Sequence, residues 1–183
     1  MKKKGKNVLV GVCGGIAAYK VCQLVRTLVK NNYSVKVMMT PAATEFIRPL
    51  VFKQLTNNPV YWEMFSCTLE DTQHIKLSEW ANLAVVAPLS ANTLSKVACG
   101  ICDNLLTTAI CAFDSKNPLL LVPSMNEKMW NNLIIKENLS RLKKVKNYTV
   151  LFPEKGELAC GKEGIGRMVE PEEIYRKIRS FLK

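Results

Sequence analysis

Two stretches restrict the fold of this chain more than any others: "LAVVAP" at 83–88 and "PLLLVP" at 118–123, each apolar at every position and closed by proline. A strand with one wet face alternates apolar and polar residues. A strand with no polar position must bury both faces, as central strands of a parallel sheet do when helices cover the two sides. "NVLVGV" (7–12) and "SVKVMM" (34–39) read as further strands. Between the first two strands, Ile16, Val21, Leu24, Val25 and Leu28 recur on one helical stripe. Strands alternating with helices imply parallel crossovers, so the expected fold is α/β, a doubly wound parallel sheet in a Rossmann-like or flavodoxin-like three-layer sandwich. With no repeat, low-complexity segment or composition break, residues 1–183 read as one domain.

The remaining segments fill in that outline. Thr40-Pro41 matches an N-cap with proline at the first helical position, opening "AATEFI", and "PLVFKQLT" reads as another helix. "NPVYWEMF" suits an extended segment, and "EDTQHIKLSEW" a loop running into a helix. Ser90 is placed to cap a helix over "LSANTLSKVA", whereas "SMNEKMWNN" is not obviously helical until about Asn131. "YTVLFP" supplies a last strand, "EKGELACGKEGIG" reads as a long irregular loop, and "EPEEIYRKIRSFLK" as a capped final helix.

Composition then removes function classes. No apolar run approaches the ~20 residues of a membrane-spanning helix. The opening "MKKKGKNVLVGVCGGIAA" has the outline of a signal peptide, but Gly14-Gly15 interrupts its apolar segment, which favours an ordinary strand, turn and helix. Seven cysteines, an odd number scattered over strand and helix segments, read as reduced thiols of a cytoplasmic protein. Cys99 and Cys102 form a C-x-x-C, yet no second pair exists to complete a zinc site, and the segment reads as small buried residues between helical turns. The formal charge of +11 favours an acidic partner. The basic clusters "RLKKVK" and "YRKIR" lack interleaved aromatics and read as solvated helix faces, so no nucleic acid is expected.

The unusual segments fall at strand carboxyl ends, where ligands collect in such sheets. Gly11, Gly14 and Gly15 do not make G-x-G-x-x-G, no ribose-binding acid ends the second strand, and no G-x-x-x-x-G-K-[ST] occurs, which disfavours NAD and nucleoside triphosphates. Gly14-Gly15-Ile16 at a helix start can hold a monophosphate, or can simply be a tight turn. "APLSANT" adds Ser90, Asn92 and Thr93, and Asn126 follows a third strand with both a donor and an acceptor. Met129 and Trp130 at that spacing are more often core than ligand contact. Cys160 sits in the glycine-rich loop, where a thiol is more open to reaction than Cys13, Cys22 or Cys111, which fit apolar packing. His74 is the only histidine, and imidazole is the side chain best suited to take up or release a proton near neutral pH. On residues alone this is a phosphate-ligand α/β protein with His74 and Cys160 as candidate proton handlers, and the chemistry stays open.

Six segments together, "GGIAAYK", "HIKLSEWA", "APLSANTL", "GICDNLLTT", "PSMNEKMWNN" and "LACGKEGIGRM", resemble in order and spacing the flavin-dependent, homo-oligomeric cysteine decarboxylases. The resemblance runs from about Val8 to about Pro171. It implies FMN, bound by Gly14, Gly15, Ile16, Thr40, Ser90, Ala91, Asn92, Thr93 and Ser124, with no metal. It implies substrate contacts from Asn126, Met129, Leu158 and Ala159, and catalysis by His74 and Cys160. A cysteine carboxylate has no electron sink of its own; oxidising the thiol to a thioaldehyde provides one, so carbon dioxide can leave and an enethiol results. His74 would handle protons in that half and Cys160 would protonate the enethiol during its reduction.

Having Cys160, the sequence resembles the coenzyme A branch of the family. That branch implies 4'-phosphopantothenoylcysteine as substrate, 4'-phosphopantetheine as product, and a homotrimer or a dodecamer of trimers, with no membrane partner. The alternatives are a decarboxylase of C-terminal cysteine in a lantibiotic-type peptide and a non-catalytic flavin-binding regulatory subunit. Glu157 places an acid just before the cysteine flap, with Lys155 and Lys162 to offset it. The end at Lys183 leads to the expectation that no fused synthetase domain follows and that another protein performs the preceding step.

Overall fold

A computed structural model describes residues 6–65, 72–157, 161 and 163–182. Its centre is a six-stranded, all-parallel sheet in the order β3-β2-β1-β4-β5-β6, built from β1 (Asn7–Val12), β2 (Ser34–Met39), β3 (Val60–Tyr61), β4 (Leu83–Leu89), β5 (Leu119–Pro123) and β6 (Tyr148–Val150). The order reverses between β1 and β4, the arrangement of a doubly wound fold.

Period-two alternation divides even the all-apolar strands between two cores. Val8, Val10, Val12, Leu83, Val85, Ala87, Leu120 and Val122 face one side, where α1 (Ala18–Lys30), α2 (Pro49–Thr56) and α8 (Pro171–Phe181) pack. Leu9, Cys13, Ala84, Val86, Leu89, Leu119 and Leu121 face the other, under α3 (Gln73–Trp80), α4 (Ala91–Cys99), α5 (Leu105–Cys111) and α7 (Leu133–Lys143). This is the physical content of "LAVVAP" and "PLLLVP": both faces are interior. On α1, Val21, Leu24, Val25 and Leu28 form the buried stripe, but Ile16 precedes the helix and is 60% exposed. Phe52 of α2 is fully buried in the first core. Phe52→Ala should therefore cost about 3–5 kcal/mol, read as a lower urea midpoint at unchanged m-value.

Several local expectations are corrected. Pro41–Glu45 is a single 3-10 segment, and Thr40 occupies its N-cap position without a side-chain capping bond. A short helix, α6 (Glu127–Trp130), begins before Asn131, because the Asn126 side chain accepts from Lys128 N–H at 2.9 Å and Trp130 is buried. Four residues are too few to produce a helical period. The expected irregular loop contains an antiparallel ribbon, β7 (Glu154–Glu157) with β8 (Glu163–Arg167), whose glycines and charges carry little strand propensity. Only two residues of "NPVYWEMF" form strand. Cys99, Cys102 and Cys111 are exposed rather than packed, since they lie at helix ends and in the connecting loop, whereas Cys13 is buried as expected.

Candidate active site

The carboxyl ends of β1, β2, β4 and β5 open onto one cleft at the point where strand order reverses. Two cavities compose it. One of about 760 Å³ is lined by Gly14, Gly15, Ile16, Ser124, Asn126 and Arg167 among others. A second of about 420 Å³ is lined by Thr40, Asn92, Thr93, Lys96, Asp103 and Asn104 among others, and both include Gly14, Ser90, Ala91 and Met129. The larger volume alone suits a cofactor or substrate-sized ligand.

The turn after β1 presents bare backbone. Ala18 N–H closes onto Gly15 O at 3.0 Å, but the amides of Gly14, Gly15, Ile16 and Ala17 donate to no acceptor among the described residues. No atom of the described protein lies within 4 Å of the position a Gly15 Cβ would take, so that backbone faces open cleft. Gly14 is needed for the opposite reason: a Cβ there would lie 2.8 Å from Ala42 Cβ and 3.0 Å from its carbonyl. The β1 turn and the segment after β2 can approach only across a glycine. Gly14→Ala should push them apart and lower, at least several-fold, retention of the FMN that the sequence resemblance implies, measured from the visible absorbance of the purified variant.

Thr40 is 7% exposed, and its Oγ1 is buried without a hydrogen-bond partner among the described residues. A buried hydroxyl left unpaired is costly, and at the lip of a cleft it is available to a ligand. Ser90 caps α4, accepting from Thr93 N–H at 3.3 Å, while the first amides of that helix lack intrahelical acceptors. Behind them, burial pushes the Cys13 thiol above 9.0 despite hydrogen bonds from Thr93 and Ser90, so it stays a neutral packing group.

Some cleft residues carry no signal in the sequence. Lys20 Nζ lies 2.7 Å from Glu170 Oε1, which also accepts from Arg167 Nη2 at 3.0 Å; the same nitrogen reaches Glu154 Oε2 at 3.2 Å. These pairs tie α1 and the start of α8 to the ribbon. Lys96 pairs with Asp103 at 2.5 Å, and that hydrogen bond holds the Asp103 carboxyl below 3.8. Folding thus favours the ionised acid, and the small contribution of this exposed pair is present above pH 3.8 and lost as pH falls through the lowered value. "GICDNLLTT" contains Asp103 and Asn104, and nothing in the residues themselves marks them as cleft-lining.

The structure brings together Gly14, Gly15, Ile16, Thr40, Ser90, Ala91, Asn92, Thr93, Ser124, Asn126 and Met129. It does not bring His74 to either cavity. His74 is the second residue of α3, half-buried, and not a cap; its carbonyl accepts from Ser78 Oγ at 2.6 Å, and Ser78 also bonds Ala109 O at 2.7 Å. Leu158, Ala159 and Cys160 lie outside the described residues.

The chain belongs to the Flavoprotein family, which matches residues 1–183. Among its relatives, the coenzyme A biosynthesis bifunctional protein CoaBC of Borreliella burgdorferi is 42% identical over 175 residues, covering 96% of this chain and 44% of that protein. The probable phosphopantothenoylcysteine decarboxylase of Streptococcus mutans is 40% identical over 180 residues, covering 97% and 99% respectively. The chain thus spans less than half the length of the CoaBC proteins it matches and nearly all of the Streptococcus protein. A PPC decarboxylase mutant complexed with pantothenoylaminoethenethiol superposes with a TM-score of 0.88 at 36% identity, covering 98% of this chain and 99% of that one. The FMN-binding protein AtHal3 does so at 0.83 and 37%, with 97% of each chain covered. The three-layer α/β fold expected from the strand pattern is the fold of these relatives.

Proposed function

We propose that this chain is an FMN-dependent carboxy-lyase that converts 4'-phosphopantothenoylcysteine to 4'-phosphopantetheine in coenzyme A biosynthesis. The observation that carries the reading is the cleft at the β1/β4 switch, where the amides at 14–17 and the buried Thr40 hydroxyl, without partners among the described residues, share a cleft with Asn126 and Met129. These groups fit FMN: backbone amides and hydroxyls suit its phosphate and ring edges, and Gly14 and Gly15 leave room for close approach. Gly14, Gly15, Ile16, Thr40, Ser90, Ala91, Asn92, Thr93 and Ser124 would hold it. When bound, FMN supplies reversible two-electron chemistry at the carbon bearing the substrate thiol.

The chain's own residues do the rest. Asn126 and Met129, together with Leu158 and Ala159, hold the substrate. Asn126 offers hydrogen bonds to its carboxylate or amide, and Met129 apolar surface to its arm. His74 takes a proton in the oxidative half, and Cys160 gives one to the enethiol in the reductive half. The coenzyme A branch, rather than the peptide branch, is supported by Cys160 and by the names of the relatives.

Because His74 lines neither cavity of its own chain, the active site is read as shared between copies in a homotrimer, or a dodecamer of trimers, with His74 reaching a neighbour's cleft. Large apolar side chains at Ile16, Tyr19, Trp62, Phe65 and Ile75 are exposed in the isolated chain and suit such an interface. No helix among the described residues is long and apolar enough to cross a membrane. Residues 1–183 are read as one flavoprotein domain working in the cytoplasm, where its thiols stay reduced.

The test is mass spectrometry of the FMN-loaded protein incubated with phosphopantothenoylcysteine and, in parallel, with a peptide ending in cysteine. Phosphopantetheine from the first is the expected result. Selective conversion of the peptide to its enethiol would move the protein to peptide maturation, and flavin binding without turnover of either would make it a binding subunit.

A further inference from the structure

The ribbon strand β8 lies flat on the segment 124–127, and its "GIG" alternation records that contact. Gly164 and Gly166 point to the same side. A Cβ at Gly166 would overlap the Met125 carbonyl, and one at Gly164 would lie 2.7 Å from Glu127 Oε2. Among the described residues, hydrogen bonds from three donors hold the strand down. Gly166 O accepts from Met125 N–H at 3.0 Å and from Ser124 Oγ at 3.3 Å, and Ile165 N–H donates to Glu127 Oε1 at 3.1 Å. The third differs from the others: its acceptor is a carboxylate, carried by a side chain that does not line either cavity.

We propose that Glu127 is a positioning residue that latches β8 to α6 and so sets the distance between the two walls of the cleft, Asn126–Met129 on one side and Gly166–Met168 on the other. The inference rests on the reading that this cleft takes the cysteine substrate. Glu127 touches no reacting atom. It acts through the backbone of Ile165, and its neighbours Asn126 and Met129 are the residues whose spacing to the ribbon then decides how tightly a substrate is held. Losing the latch leaves the Ile165 amide without its acceptor and lets the ribbon wall move outward. Affinity falls, while substrate that does bind meets the same reacting groups.

The experiment compares wild type, Glu127→Ala and Glu127→Gln, all FMN-loaded, by steady-state decarboxylation of phosphopantothenoylcysteine and by amide hydrogen exchange of the 163–167 segment. Glu127→Ala should raise KM roughly tenfold at nearly unchanged kcat, and speed exchange in 163–167 by a similar factor. Glu127→Gln keeps an acceptor for the Ile165 amide and should stay close to wild type in both. Unchanged exchange in Glu127→Ala would overturn the latch, as would a glutamine variant as impaired as the alanine one. A wild-type protein inactive on the cysteine substrate would instead sink the functional reading, and the exchange comparison would still decide the role of Glu127.

Discussion

His74→Asn should abolish decarboxylation, with kcat falling at least ~10²–10⁴-fold, the range for losing a positioned acid or base. FMN should stay bound at wild-type stoichiometry, because every residue assigned to the cofactor lies in the cleft and His74 does not. α3 should also survive, since its buried anchors are Leu77 and Ser78, and the bond from Ser78 goes to the His74 backbone carbonyl rather than its ring. Carbon dioxide release together with the flavin absorbance separates the two effects. A fully active variant would remove His74 from the mechanism. The geometry adds a stricter check. If His74 serves a neighbour's cleft, mixed oligomers of His74→Asn and Cys160→Ser chains should regain part of the complete reaction, because some sites then combine an intact histidine with an intact cysteine.

Cys160→Ser should leave the first half-reaction intact and stop at the enethiol, so the product is two hydrogens lighter than phosphopantetheine in the mass spectrum. A serine hydroxyl is a far weaker acid than a thiol and cannot deliver the proton as the enethiol is reduced. Normal yields of the saturated thiol from Cys160→Ser would end the proposed role.

Much of the fold and part of the site are legible in residue order alone. "LAVVAP" and "PLLLVP" mark two interior strands because burial on both faces leaves no polar position, although β4 runs one residue past Pro88 to Leu89, which pairs with Pro123. Ser90 and Asn92 stand out as polar groups where a strand meets a helix, and they line the cleft. What is illegible has weak local signals. α6 is too short for periodicity and is held by one cap and one buried tryptophan. The ribbon pairs glycines and glutamates, residues with little strand preference, and is held down by contacts with the 124–127 segment. Lys20 is distant along the chain from Arg167 and Glu170, which are three residues apart, and it joins them only once α8 returns beside α1.

The sequence by itself determined the layered α/β class, the strands that form its centre and the family, because burial patterns and motif spacing are properties of residue order. Only the tertiary structure decided that the buried Thr40 hydroxyl has no partner among the described residues, that Glu127 reaches the Ile165 amide, and that His74 lines neither described cavity of its own chain. Each of these depends on the distance between segments far apart in sequence, and such distances are set by how the helices and the ribbon pack on the sheet.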